Sequence, residues 1–333
     1  MKDLPAPTRR GFLTGAAAAS TLGLTGSLPA ATALAKAPMQ KIQAPAFYRF
    51  NVGAFEATVV SDGPLHLGPP SANVFVGLTA EAMSKAFADN FLAVDDILLE
   101  QNALVINTGR QLVLFDTGTG IGTSPLFSKN TGRLVANLKS AGIQPEDLDA
   151  VVITHAHGDH CFGLMTDTGK PNFPNAQIYM TLSDLAFWTD ERNGINDMFK
   201  AMIAGTRAQL LPNRDRIVTI KDGQEILPGI QAIAAPGHTV GHSVFMITSE
   251  GKSLCNAGDL GHHHVISLAM PKLPFAFDTD GQQAVASRLR IYDMLASARI
   301  PMVGYHFPWP GIGYVGRQGD AFRYFPQQLR PVL

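Results

Sequence analysis

The period of hydrophobic and polar positions changes several times along this chain, and each change marks an element. Phe47 to Val52 and Ala54 to Val60 are strand-like runs on either side of Gly53, which predicts a β-hairpin. Asn102 to Asn107 and Gln111 to Phe115 predict a second, turning at Thr108-Gly109-Arg110. From Gly132 to Ala141 the apolar residues fall at helical spacing and the run stops at Gly142. Further helices are predicted over about Thr181 to Asp190, Asp197 to Leu211 and Asp280 to Ala298. Val151 to Thr154 reads instead as a buried strand, and Ile230 to Ala234, Ser253 to Cys255 and Met302-Val303 are short strand-like runs. This order predicts layered α and β structure, α/β or α+β in class. Residues 61 to 100 and 262 to 280 are long connections, and loops of that length in a compact domain tend to carry function.

The chemistry concentrates directly after the run Val151-Val152-Ile153. There His155, His157, Asp159 and His160 place four metal-ligand side chains on the loop leaving a strand end. A single histidine in a loop is more often hydrogen-bonded or solvated than a ligand, so the rest of the chain decides. His238, Asp259 and His306 each follow one of the short strand-like runs, as the first cluster does. Imidazole nitrogens with carboxylate oxygens suit zinc or another borderline divalent ion.

With this set the sequence resembles the metallo-β-lactamase superfamily, whose pattern is HxHxDH followed by a His, a bridging Asp and a final His. The likeness runs through the chain after residue 45 and includes Leu114-Phe115-Asp116-Thr117-Gly118 and Gly237-His238-Thr239-Val240-Gly241-His242. Within the superfamily it is most similar to the methyl parathion hydrolase group, on Phe47-Tyr48-Arg49-Phe50, the segment Gly132 to Lys139, Phe173-Pro174-Asn175-Ala176 and Pro310-Gly311-Ile312-Gly313. The resemblance implies a four-layer αβ/βα sandwich. It also implies two divalent ions, zinc first and Fe, Mn or Co after it. His155, His157 and His238 would hold one and Asp159, His160 and His306 the other, with Asp259 bridging and a metal-bridging hydroxide attacking the substrate. Asp159 and Asp259 are thereby the catalytic carboxylates. Iron-dependent redox relatives replace a ligand His with Glu, whereas His157 is retained here. The chain departs from many relatives after Asp159-His160, where it carries Cys161-Phe162-Gly163 in place of a residue followed by two glycines.

Around this set the roles are expectations of different kinds. Asp116 reads either as a hydrogen-bond partner that orients a ligand histidine or as a turn-capping residue before Gly118. His242 reads as a structural histidine. His262, three residues beyond Asp259, reads either as a donor to a developing oxyanion or as a solvated loop histidine. Trp188, Phe199, Phe275, Phe277 and Trp309 are candidates for an aromatic substrate pocket; the parathion hydrolase likeness points to Trp188 and Phe199 in particular. The absence of an obvious Arg or Lys cluster near these loops argues against phosphomonoesters.

The 333-residue chain is long enough for one large domain or two ordinary ones, and the lack of a repeat or linker after residue 45 favours one, over 36–333. Residues 1–35 differ: Arg9-Arg10-Gly11-Phe12-Leu13 precedes an uncharged Ala, Gly, Leu and Thr-rich stretch ending in Ala33-Leu34-Ala35. That resembles a twin-arginine signal peptide and predicts a periplasmic or secreted enzyme, exported folded by that machinery without a stable membrane span. Without the leader, 23 basic residues face 26 acidic ones, a formal charge of −3. No basic stripe remains for nucleic acid. Cys161 and Cys255 alone make no disulfide framework and read as buried thiols. The reading is a binuclear hydrolase of a small uncharged lactone or carboxylic ester with phosphotriesterase side activity. The alternatives are a dedicated organophosphate triesterase and a metal-binding protein without turnover, and a homodimer is an open assembly state.

Overall fold

The computed structural model describes residues 46–121 and 127–330, so the leader expected over residues 1–35 lies outside the described residues. Nine strands come first: β1 (Phe47–Val52), β2 (Phe55–Ser61), β3 (Leu65–His66), β4 (Leu98–Leu99), β5 (Asn102–Asn107), β6 (Leu112–Phe115), β7 (Ala150–Val152), β8 (Gln177–Thr181) and β9 (Ile217–Ile220). Seven follow: β10 (Glu225–Leu227), β11 (Ile230–Ala234), β12 (Ser243–Ser249), β13 (Lys252–Asn256), β14 (Met302–Val303), β15 (Ile312–Gln318) and β16 (Ala321–Pro326). They form two seven-stranded sheets, ordered β1-β2-β5-β6-β7-β8-β9 and β10 through β16 in sequence, with β3 and β4 as a separate pair.

Alternation inside the unbroken apolar runs sets the layers. On β5, Leu104 and Ile106 face the second sheet while Val105 faces away; on β6, Val113 and Phe115 face inward and Leu114 outward. Both faces are buried, which is why these strands read as continuous apolar runs. The inward residues meet Ile230, Ala232, Phe245, Ile247 and Val303 of the second sheet in the inter-sheet core. The outer face of the first sheet packs under the helices Leu134–Ser140, Leu182–Thr189 and Asp197–Leu210 through Leu134, Leu138, Trp188, Ile203 and Leu210. Ile291, Tyr292 and Leu295 of the helix Gly281–Ala298 cover the outer face of the second. The result is the helix, sheet, sheet, helix order expected.

The hairpins and helices lie within a residue or two of their predicted bounds. The long connection 61–100 is more structured than its composition suggests, because it contains the β3–β4 pair and the helix Ala80–Asp89, capped by Thr79. Its Leu65, Phe75, Met83, Phe87 and Leu99 form a satellite core with Ile266 and Phe275, which ties the two long connections together. Among the described residues no helix is long and apolar enough to cross a membrane.

Candidate metal centre

Strand direction gathers the ligands. β6 and β7 run parallel, as do β13 and β14, and β11 points the same way as β13 because each is antiparallel to β12. Asp116 follows β6, the His155 cluster β7, His238 β11, Asp259 β13 and His306 β14, so all come from the C-terminal ends of strands. The local backbone is built for this. Asp159 and His160 lie in the short helix Gly158–Cys161, and Gly258 sits at φ +46° where a Cβ would come within 2.7 Å of His242 Nε2.

Two groups converge. His155, His157 and His238 form one; Asp159, His160 and His306 form the other, with ligand atoms in each within 4.8 Å of one another. Asp259 lies between them: Oδ2 is 3.3 Å from His238 Nε2 and 3.1 Å from His306 Nε2, while Oδ1 is 3.2 Å from His160 Nε2. All seven sequence candidates are thus brought together. His155 Nε2 and His238 Nε2 approach to 3.1 Å, although two imidazole nitrogens make no favourable contact unless one is protonated or both face a cation. His160 Nε2 and Asp259 Oδ1 are buried without a hydrogen-bond partner. Buried polar atoms left unpartnered at the focus of a His/Asp set fit a pair of divalent ions.

The electrostatics follow from burial and these neighbours. Burial alone would raise Asp259, but His160 and His306 hold its carboxyl well below the usual range. Burial pulls His155 and His157 well down, leaving both rings neutral. For His238 burial also pulls down, but hydrogen bonds to Asp259 and Asp278 prevail and raise it to about 9.

The neighbours that orient the ligands are now specific. Asp116, at φ +63°, bonds His160 Nδ1 at 2.9 Å and accepts from Thr154 N and Oγ1, the contacts that would hold the His160 ring toward an ion. His242 bonds the Ala235 carbonyl through Nδ1 at 3.0 Å and accepts from Asp259 N through Nε2. Both of its ring nitrogens are thus engaged within the protein, and burial pushes it down to about 4. Sequence reasoning missed three others. Asp278 bonds His238 Nδ1 at 2.9 Å, the Glu100 carbonyl bonds His306 Nδ1, and Tyr305 Oη donates to the Asp159 carbonyl. Buried Asp184 accepts from Ala156 N, Gly241 N and Thr239 Oγ1, and so fastens the loop carrying His155 and His157 to the turn carrying His238.

A cavity of about 320 Å³ opens over the ligands, lined by His157, Asp159, His238, Asp259, His262 and His306 below and by Leu65, Leu67, Leu99, Phe127, Met198, Met202, Phe275 and Phe277 around them. Phe275 and Phe277 line it as expected. Trp188, Phe199 and Trp309 do not. Trp188 is fully buried in the core behind His157, its ring 5.0 Å from that imidazole and stacked 5.5 Å from Phe199. The inner face of its helix needed a large apolar residue there, so the aromatic pair backs the ligand. Trp309 packs on the inter-sheet core and lines a separate cavity with His264 and Tyr324. The unusual Phe162 fills the space that Gly158 and Gly205 leave open, where a Cβ on either would touch its ring. Both cysteines are buried and free.

His262 is not solvated. It is 1% exposed, stacks on Phe275 at 3.7 Å, and holds Nε2 3.3 Å from Asp259 Oδ2.

With the geometry in hand, comparisons with known proteins are informative. Residues 97–302 match the family model described as Metallo-beta-lactamase superfamily. A solved structure of AidC, a dizinc quorum-quenching lactonase in complex with a product N-hexanoyl-L-homoserine, superposes with TM-score 0.80 at 26% identity, covering 86% of this chain and 99% of that one. The hydrolase AbOPH of the beta lactamase superfamily gives TM-score 0.80 at 26% identity over 87% and 100%. An N-acyl homoserine lactonase of Bacillus sp is 28% identical over 118 residues, 35% of this chain. The matched part spans only 40% of that relative and 42% of the Bacillus cereus lactonase. These matches carry the superfamily and leave the finer likeness to methyl parathion hydrolases without support of its own.

Proposed function

The chain belongs to the metallo-β-lactamase superfamily, and we propose that it is a binuclear metal-dependent hydrolase, with zinc in both sites, that opens lactone rings of the N-acyl homoserine class. The observation that carries this is the seven-ligand set at the floor of an apolar cavity whose described lining includes no Lys or Arg. An anionic substrate such as a phosphomonoester would find no cationic partner among those walls, whereas an uncharged ester with an apolar chain would bury against Leu65, Leu99, Met198 and Met202. AidC, a lactonase at 26% identity over nearly its whole length, points the same way.

Bound ions would supply Lewis-acid polarisation of the carbonyl and a water nucleophile at neutral pH. His155, His157, His238, Asp159, His160, His306 and Asp259 would hold them. The protein's own contribution is to exclude bulk water with the apolar walls and to fix the reacting carbonyl. Asp159, whose side chain is 13% exposed at the cavity floor, would receive the proton of the adding water and return it to the alkoxide released when the ring C–O bond breaks.

Metal-loaded protein should hydrolyse an N-acyl homoserine lactone, followed by proton release, with kcat/KM at least tenfold above that for a dialkyl nitrophenyl phosphotriester at matched concentrations. The reverse order would make phosphotriesters the substrate class. Turnover of neither, with ions bound, would leave a metal-binding protein.

A further inference from the structure

The loop after Asp259 is scaffolded from every side. Ser267 Oγ accepts from the N–H groups of His262 and His263, and His263 Nδ1 accepts from Val265 N and Ile266 N. Buried Arg288 donates to the carbonyls of Leu260, Pro271 and Leu273. His263 stacks on Phe87 at 4.7 Å, and His262 lies nearly parallel, at 14°, against Phe275. All this fixes one side chain, and that side chain is unsatisfied: both ring nitrogens of His262 are buried without a hydrogen-bond partner. A buried imidazole normally bonds a carbonyl, carboxylate or water, and leaving its polar atoms unmet is unfavourable. His263, next to it, has its Nδ1 engaged by the loop, so the contrast is within one turn of chain.

His262 also lines the cavity, with Nε2 3.3 Å from Asp259 Oδ2 and its ring 4.6 Å from that of His238; these three are close enough to hold an ion, but the two triads and Asp259 supply both sites without it. Its unmet nitrogens therefore await a group that enters with the substrate. We infer that His262 is a catalytic hydrogen-bond donor, presenting a ring N–H to the substrate's carbonyl oxygen as that oxygen gains negative charge, with the Phe275 stack holding the ring in line. No proton need leave the imidazole, since the bond strengthens as charge develops and weakens when the carbonyl re-forms. This rests on the hydrolytic reading above and adds to it the residue that meets the reacting oxygen.

The test compares the metal-loaded full-length enzyme with His262→Phe, which keeps the stack on Phe275 but no donor, and His262→Gln, which restores an N–H. Wild-type turnover of the lactone is measured in parallel, so an inactive wild type indicts the substrate and not His262. On any ester the wild type does turn over, His262→Phe should lose roughly 100- to 1000-fold in kcat with KM changed far less. His262→Gln should recover at least tenfold of that loss. Both variants should keep two ions per chain by elemental analysis and a melting temperature no lower than wild type, since no internal bond is removed. A change below threefold in kcat for His262→Phe with both ions bound would overturn the inference, and so would loss of an ion, which would make His262 a ligand instead.

Discussion

Asp259 and Asp116 show how differently two buried carboxylates at strand ends can work. Asp259 faces ligands of both groups, so Asp259→Ala removes the carboxylate shared between them while Asp159 and five imidazoles stay. Wild-type protein should carry close to two divalent ions per chain and the variant fewer than one; one ion in a fully active wild type would refute the binuclear assignment. His160 is the one ligand histidine that Asp116 hydrogen-bonds directly, its other partner being Thr154, so its removal should be selective. Asn tolerates the positive φ at that position and keeps an acceptor for Thr154, which leaves loss of the negative charge as the main change. For Asp116→Asn, chelator competition should show roughly 10- to 100-fold weaker binding of the ion held by His160. The ion held by His155, His157 and His238 should be unaffected, and equal weakening at both would rule out an orienting role. At this scale the ligands were legible because their chemistry and spacing are in the chain. Their supporters were not: Asp184 and Asp278 lie 28 to 57 residues from what they hold and carry no local signature.

At the scale of elements, the hairpins and longer helices were readable since each announces itself within a dozen residues by period and punctuation. The helix Ala80–Asp89 was not, because it lies in a connection where Pro and Gly obscured the apolar face carried by Met83 and Phe87. Nor was the side each aromatic faces. Trp188 and Phe277 both sit near metal loops in sequence, and only packing separates a core ring from a pocket wall. Asp184 illustrates what packing adds. From the first turn of the helix Leu182–Thr189 it binds N–H groups of two metal-bearing loops on different sheets. In Asp184→Asn one amide N–H must face a backbone N–H, leaving a buried donor unmet at about 1–3 kcal/mol. Denaturant unfolding should register that loss, and activity should fall with it as the His155–His157 loop drifts from His238. Unchanged stability with unchanged kcat would mean the two loops hold their spacing unaided.

For the whole molecule, the arginine pair and the metal centre meet in one requirement, that ions be loaded before export if the twin-arginine route is used. Arg9→Lys with Arg10→Lys should then leave active enzyme in the cytoplasm, and unchanged periplasmic delivery would discard the route. Loading itself should depend on pH. In the ion-free protein the hydrogen bonds to Asp259 and Asp278 outweigh burial and raise His238 to about 9 from 6.5, and His160 and His306 are raised as well by Asp259 and its neighbours. The proton on His238 therefore stabilises the ion-free fold fully below about pH 6.5, and that contribution is lost as pH rises through about 9. An ion must displace this proton, so affinity should rise with pH and level off near 9. His155 and His157 are neutral throughout, which leaves one proton to displace at their site but two, from His160 and His306, at the other. Ion binding at the His155 site should weaken roughly tenfold per pH unit below about 9, and binding at the His160 site, with two protons to displace, should fall more steeply with pH. Acidification from pH 8 to 6 should consequently strip the ion beside Asp159 first. Chelator competition across that range, with proton release measured on re-addition of zinc, would expose the difference as two slopes; a single pH-independent affinity would show that the histidines are not protonated when the ions are away.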